Sequence, residues 1–193
     1  MGPNNNRKKK ENIKYDYLFK IIFLGDSNVG KTSIILRAVN DEFFLEKKNI
    51  KSEFLSKYVN INEKIIRLVL YDYQSDTNYS LRCFMKGSRV LILLYDISNR
   101  KSFSELNHWI KIIEEKKSSG LYIKVLLGNK CDLKEKRMIT EEEGRKFANE
   151  HDMLFFETSA KTNTNLEIIF NTLCEKLLEL TYKNERIKPK PKY

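Results

Sequence analysis

The residues best placed to do chemistry are Gly25, Asp26, Ser27, Asn28, Val29, Gly30, Lys31 and Thr32, which follow the pattern G-x-x-x-x-G-K-[ST]. They come after the apolar run Leu18–Leu24 and before the helix-forming stretch Thr32–Val39. A strand that turns this tightly into a helix aims successive backbone N–H groups and the positive end of the helix dipole at one spot, which suits phosphate. Gly25 and Gly30 let the backbone approach phosphate oxygens without a Cβ in the way. Lys31 is expected to reach the β- and γ-phosphates and the Thr32 hydroxyl to ligate Mg²⁺, with Ser33 among the nucleotide-contacting residues.

The base is specified elsewhere. Asn129, Lys130 and Asp132 form the string NKCD directly after the apolar run 122–128. A carboxylate at Asp132 can accept two hydrogen bonds from the N1–H and 2-amino edge of guanine, a donor pair that adenine lacks. Sites that leave a buried polar group unpaired by the wrong ligand discriminate by roughly 10⁴-fold. Downstream, Ser159-Ala160-Lys161 follows the run Met153–Phe156. A backbone N–H near Ala160 would meet the guanine carbonyl, while the stems of Lys130 and Lys161 lie along the ring. NKCD and SAK together exclude an ATP-using phosphate-loop kinase.

On these motifs the chain resembles a small GTPase of the Ras superfamily, and most of all its Rab branch, from about Tyr17 to Tyr182. GDSNVGKT and YDISNRKSFSELNHW (Tyr95–Trp109) carry the Rab likeness in detail. The resemblance implies a six-stranded sheet with helices on both faces and the nucleotide at the carboxyl ends of the strands. It also implies GTP or GDP with Mg²⁺, two switch segments that sense the γ-phosphate, effector and regulator proteins that engage them, and a monomer. Phe43 is spaced after Lys31 like the family aromatic that leans on guanine; a core phenylalanine beside Phe44 is the other reading.

Periodicity supports the same fold independently. Short apolar runs at about 18–24, 65–71, 90–96, 122–128 and 153–157 read as strands buried on both faces. Ser102 with Glu105, Thr140 with Glu143, and Thr164 with Glu167 each read as a capping box that opens a helix. Phe54–Ile61 followed by Asn62-Glu63 reads as a hairpin, giving one antiparallel edge strand. Strands alternating with helices mean a doubly wound α/β domain, with a mostly parallel six-stranded sheet. The expected organisation is a basic N-terminal tail (1–16), one G domain (17–182) and a basic Lys-Pro C-terminal tail (183–193).

The resemblance fails at the two switches. At the place of the usual switch I threonine stands Asn49 or, counted from Lys31, Ile50, within the lysine-rich segment EKKNIK (Glu46–Lys51). Asn49 offers an amide oxygen to the metal; an ordinary solvated loop is the alternative. The family stretch W-D-T-A-G-Q-E reads here as Tyr71-Asp72-Tyr73-Gln74-Ser75-Asp76-Thr77. Asp72 would hold the metal through a water. Ser75 replaces the glycine whose N–H contacts the γ-phosphate, and Asp76 replaces the glutamine that orients the attacking water. An ionised carboxylate accepts hydrogen bonds and donates none, so Asp76 fills that catalytic place poorly, and Gln74 is the candidate substitute. Two functions therefore stand side by side. One is a GTPase that hydrolyses GTP slowly in vesicle and membrane traffic; the other is a degenerate guanine-nucleotide-binding interaction module.

Of the formal net charge of +10, +4 falls in Met1–Lys14 and +4 in Lys183–Tyr193, leaving +2 for the rest. Charge concentrated in tails rather than on a folded face speaks against nucleic acid. It suits solvated tails, or weak contact with an anionic membrane worth about 1 kcal/mol per basic residue. The last cysteine, Cys174, falls in a predicted helix and the sequence closes KPKPKY, so no C-terminal prenyl anchor is expected if Tyr193 is the native terminus. Cys83, Cys131 and Cys174 lack metal or disulfide spacing, which suits a reducing cytoplasm, with peripheral attachment to an endomembrane as a further expectation. His108 and His151 read as solvated helix residues, and Trp109 as packing a helix onto the sheet.

Overall fold

Apolar side chains on both sides of nearly every strand force the sheet into the middle of the molecule. In β1 (Tyr17–Leu24), Phe19, Ile21 and Phe23 enter one apolar cluster while Ile22 and Leu24 enter another. In β4 (Ser88–Asp96), Ile92 and Leu94 join the first, and Leu91 and Leu93 the second. The structure is a computed structural model, and it describes residues 13–43, 54–74, 81–116 and 122–187.

β2 (Phe54–Ile61) and β3 (Lys64–Asp72) form an antiparallel hairpin, Ile61 opposite Lys64. Its two turn residues, Asn62 and Glu63, both take positive φ (50° and 62°), which matches the twist of the flanking strands. With β5 (Ile123–Asn129) and β6 (Leu154–Glu157), the sheet has six strands in the order β2-β3-β1-β4-β5-β6. Only the β2–β3 pair is antiparallel. From β1 the chain crosses to the edge strand β2, returns through β3 to lie beside β1, and then runs outward through β4, β5 and β6 on the other side. The strand order therefore switches between β1 and β4, at whose carboxyl ends such sheets bind ligands.

Helices α1 (Lys31–Asn40) and α6 (Leu166–Ile187) cover one face. Helices α2 (Leu81–Met85), α4 (Leu106–Lys116) and α5 (Glu141–Glu150) cover the other, with the short α3 (Arg100–Ser104) leading into α4. The doubly wound fold with one antiparallel edge is as the sequence predicts.

Helix starts agree only in part. Thr140 and Glu143 form the expected capping box on α5. Arg100 hydrogen-bonds the Glu143 carboxylate at 2.6 Å, and this bond, ahead of the Thr140 backbone N–H, pulls its pKa down to about 2. Ser102 does not open a helix: Asn99 caps α3 by accepting from the backbone of Lys101 and Ser102, and Ser102 is buried one turn further on. Thr164 lies in a two-residue bridge with Ser159, its hydroxyl 2.7 Å from that of Thr162, and α6 starts at Leu166.

Hydrogen-bonded backbone continues beyond residues 17–182 at each end. Asp16, assigned above to the N-terminal tail, donates its backbone N–H to the Ile65 carbonyl at 2.8 Å and accepts from the Ile65 N–H at 2.8 Å. At the other end α6 runs on to Ile187, past the expected start of the C-terminal tail at Lys183.

Candidate functional site

The strand-to-helix turn between β1 and α1 is held by its neighbours. Gly25 has φ 132°, and a Cβ there would stand 2.5 Å from the Leu94 carbonyl oxygen of β4. Gly30 has φ 101°, and its Cβ would stand 2.2 Å from Nδ2 of Asn129. Both glycines are thus demanded by protein packing as well as by room for phosphate. Asn28 also takes positive φ (66°), and Ser27 and Asn28 form the exposed crest above buried Val29. Lys31 is only 8% exposed, and its ammonium donates to the carbonyls of Gly25 (2.7 Å) and Asp26 (2.8 Å). The loop is therefore wrapped around a cation.

In the first turn of α1, the Thr32 hydroxyl donates to Oδ2 of Asp72 at the end of β3, with half-buried Ser33 beside it. The other carboxylate oxygen, Asp72 Oδ1, is buried and has no hydrogen-bond partner among the described residues. A hydroxyl next to an orphaned carboxylate oxygen is a donor set for a hard, oxygen-seeking divalent cation, so Thr32 and Asp72 fit Mg²⁺.

Across the crevice, Asn129 closes β5 and is 1% exposed. Its Nδ2 donates to the Val29 carbonyl at 2.8 Å, and its Oδ1 accepts from the Thr158 hydroxyl at 3.3 Å. One amide thereby pins the phosphate loop, β5 and the loop after β6 together. Lys130 adopts positive φ (65°) and pairs with Asp96 Oδ2 at 2.7 Å. Asp132 Oδ1 accepts from the buried Ser159 hydroxyl at 2.6 Å, and Ser159 Oγ accepts in turn from the Thr162 N–H at 3.1 Å. Ala160 is buried beside them and Lys161 is exposed. Burial pushes the Cys131 thiol of this loop above its ordinary pKa, with Glu157 and Asp132 adding to the shift, so it is a neutral thiol at pH 7.

The structure thus gathers the phosphate loop, Thr32 with Asp72, and Asn129, Lys130, Asp132, Ser159, Ala160 and Lys161 at the carboxyl ends of β1, β3, β5 and β6. Gln74 follows β3 and is exposed. Phe43 is half-buried and packs against the cluster under α1 and α6. Asn49, Ile50, Ser75 and Asp76 lie outside the described residues.

Two contacts escaped the sequence reading. Asp96 pairs with Lys130, and the sign available for it was an acid closing an otherwise apolar strand. Trp109 donates its indole N–H to Asp26 Oδ1 at 2.9 Å across 83 residues, and no local pattern announces that.

A family model described as the Ras family matches residues 20–179. The chain belongs to the Ras family. It is 38% identical over 167 residues to Ras-related protein Rab-13 of Canis lupus familiaris, covering 85% of this chain and 82% of that one. It is 38% identical over 172 residues to Ras-related protein Rab-10 of Diplobatis ommata, covering 86% and 84%. Against Ras-related protein Rab-8B of Pongo abelii it is 37% identical over 169 residues, covering 85% and 80%. This Ras-family chain is a Rab-like small GTPase that binds guanine nucleotide. Among the described residues, no helix is long and apolar enough to cross a membrane.

Proposed function

We propose that the chain binds GTP and GDP with Mg²⁺, hydrolyses GTP slowly and serves membrane traffic by offering its switch segments to effectors and regulators. The observation that carries this reading is the Thr32–Asp72 pair with its orphaned oxygen, next to a lysine buried in the phosphate loop. Lys31 brings positive charge to the β- and γ-phosphate oxygens, and the first turn of α1 adds its N–H groups. Thr32 would hold the metal, and Asp72 would hold it through a water. When bound, Mg²⁺ neutralises charge that builds on the phosphate oxygens during transfer.

Asp132 reads the N1–H and 2-amino group of guanine, and Ser159 orients that carboxylate by donating to its other side. The N–H near Ala160 meets the guanine carbonyl, and the stems of Lys130 and Lys161 flank the ring. Hydrolysis is slow because Asp76 stands where a water-orienting glutamine is expected, and a carboxylate beside a γ-phosphate is repelled. Gln74 is the nearest amide that can take over. Family membership favours this hydrolysing switch over a nucleotide-holding interaction module. The basic residues of both tails add weak, salt-sensitive contact with an anionic membrane.

Single-turnover conversion of preloaded GTP, followed by chromatography of the bound nucleotide, tests the proposal. Conversion to GDP within hours, abolished by removing Mg²⁺, is expected. GTP that stays intact would overturn the hydrolysis step, and failure to retain GDP in preference to ADP would overturn the base assignment.

A further inference from the structure

We propose that Trp109 is a positioning residue that couples the phosphate loop to Asp72, its indole N–H holding Asp26 and its ring supporting Tyr73. The inference rests on the reading that the crevice holds a guanine nucleotide. Trp109 lies on α4 and is 7% exposed. An indole has a single donor, and here it is spent on Asp26 Oδ1 at 2.9 Å. Asp26 is thereby gripped at both ends, since its carbonyl accepts from Lys31 at 2.8 Å. The bond also fixes where a negative carboxylate sits in a loop that receives negative phosphates.

The other side of the same indole meets Tyr73, edge-on, with ring centroids 6.3 Å apart and planes at 90°. Tyr73 is buried, meets Phe84 at 5.2 Å, and donates its N–H to the Phe23 carbonyl of β1 at 3.2 Å. It directly follows Asp72, the acid bonded to Thr32. Trp109 therefore touches the residue after Gly25 and the residue after Asp72 at once. A displacement of either is felt by the other through one rigid, buried ring. Tyr73 stands where the family stretch W-D-T-A-G-Q-E has threonine, a side chain too short to make this ring contact, so the coupling is a property of this chain.

The test uses the full chain loaded with N-methylanthraniloyl-GDP and Mg²⁺, with release followed after adding excess GDP. Trp109→Phe keeps the ring and deletes the donor, and release about tenfold faster is expected. Asp26→Ala should match it, the double variant should be no faster than either, and Asp26→Asn, which keeps an acceptor, should release more slowly than Asp26→Ala. The coupling itself is read from Tyr73→Leu. Its effect on release should be non-additive with Asp26→Ala when Trp109 is present and additive in the Trp109→Phe background. Trp109 is the sole tryptophan, so its emission gives a second readout. Withdrawing Mg²⁺ from the GDP-loaded protein should shift it, and Tyr73→Leu should abolish the shift. Release from Trp109→Phe and Asp26→Ala within about twofold of wild type, or additivity throughout, would overturn the inference while the nucleotide reading stands. A wild-type chain that retains no guanine nucleotide would overturn both.

Discussion

Along the phosphate and base loops, side chains are held by short polar contacts, whereas the β3 end of the crevice is built from rings packed on rings. Lys31 sits on two carbonyls, Asn129 bridges Val29 and Thr158, and Ser159 holds Asp132. Around Asp72 the neighbours are Phe54 against Tyr71 at 5.3 Å, Tyr71 and Tyr73 against Phe84, and Tyr73 against Trp109. Hydrogen bonds fix direction and reject a wrong partner, because a buried group left unpaired is costly. Aromatic contacts bury large apolar area and prefer edge-on or offset arrangements. The polar half is suited to holding one ligand, and the aromatic half to bracing the end of β3.

The largest expected effect strikes the polar half. Lys31→Ala removes the buried cation from the loop, and two charge-assisted bonds at about 1.5–3 kcal/mol each predict at least a hundredfold weaker retention of GDP. Titration calorimetry checks it, and a loss smaller than tenfold would break the division just drawn. Next comes Gly30→Ala, which forces a side chain into positive φ and onto Asn129. Denaturant unfolding should show a loss of about 1–3 kcal/mol even without nucleotide, because the strain is in the protein and not in the ligand contact.

Smaller is Phe54→Ala. Phe54 is 41% exposed, so unfolding should change by about 1 kcal/mol or less, with nucleotide release unaltered. A large change in release would mean that the aromatic half also grips. Smallest is an acid effect on α5, which packs beside the base-loop strands. The carboxyl of Glu143 is held at about 2, below its ordinary 4.5, by Arg100 and the Thr140 cap. A depressed carboxylate stabilises the fold fully above pH 4.5 and loses that contribution as pH falls toward 2. Glu143→Gln should flatten stability against pH across this window only, and by a modest amount because the group is exposed.

The polar half was the more legible of the two. GDSNVGKT, NKCD and SAK are contiguous strings whose residue types already state their chemistry. Even there, the packing reason for Gly30 was hidden, since the side chain it must avoid belongs to Asn129 at the far end of another strand. Ser102 misled because its spacing to Glu105 satisfies the capping pattern, while Asn99, three residues earlier, accepts two backbone N–H groups and wins. Trp109 was expected to pack a helix on the sheet and does so, but its bond to Asp26 is purely tertiary. The aromatic half is almost wholly of that kind, with rings brought together from four separate elements. Lys183 opens a charge-rich stretch of sequence, and charge alone does not mark where a helix stops: α6 continues to Ile187.

Helix α6 begins beside the base loop, where Asn165 donates to the Glu157 carbonyl, and its 22 residues reach about 33 Å. Near its far end, Tyr182 meets Tyr17, the first residue of β1, edge to face. The opening residue of β1 lies about 26 Å from the crevice, an eight-residue strand away. Anything that fastens the molecule through the residues after Ile187 therefore holds it by its base and leaves the nucleotide end as the outermost point, free to be approached from the front.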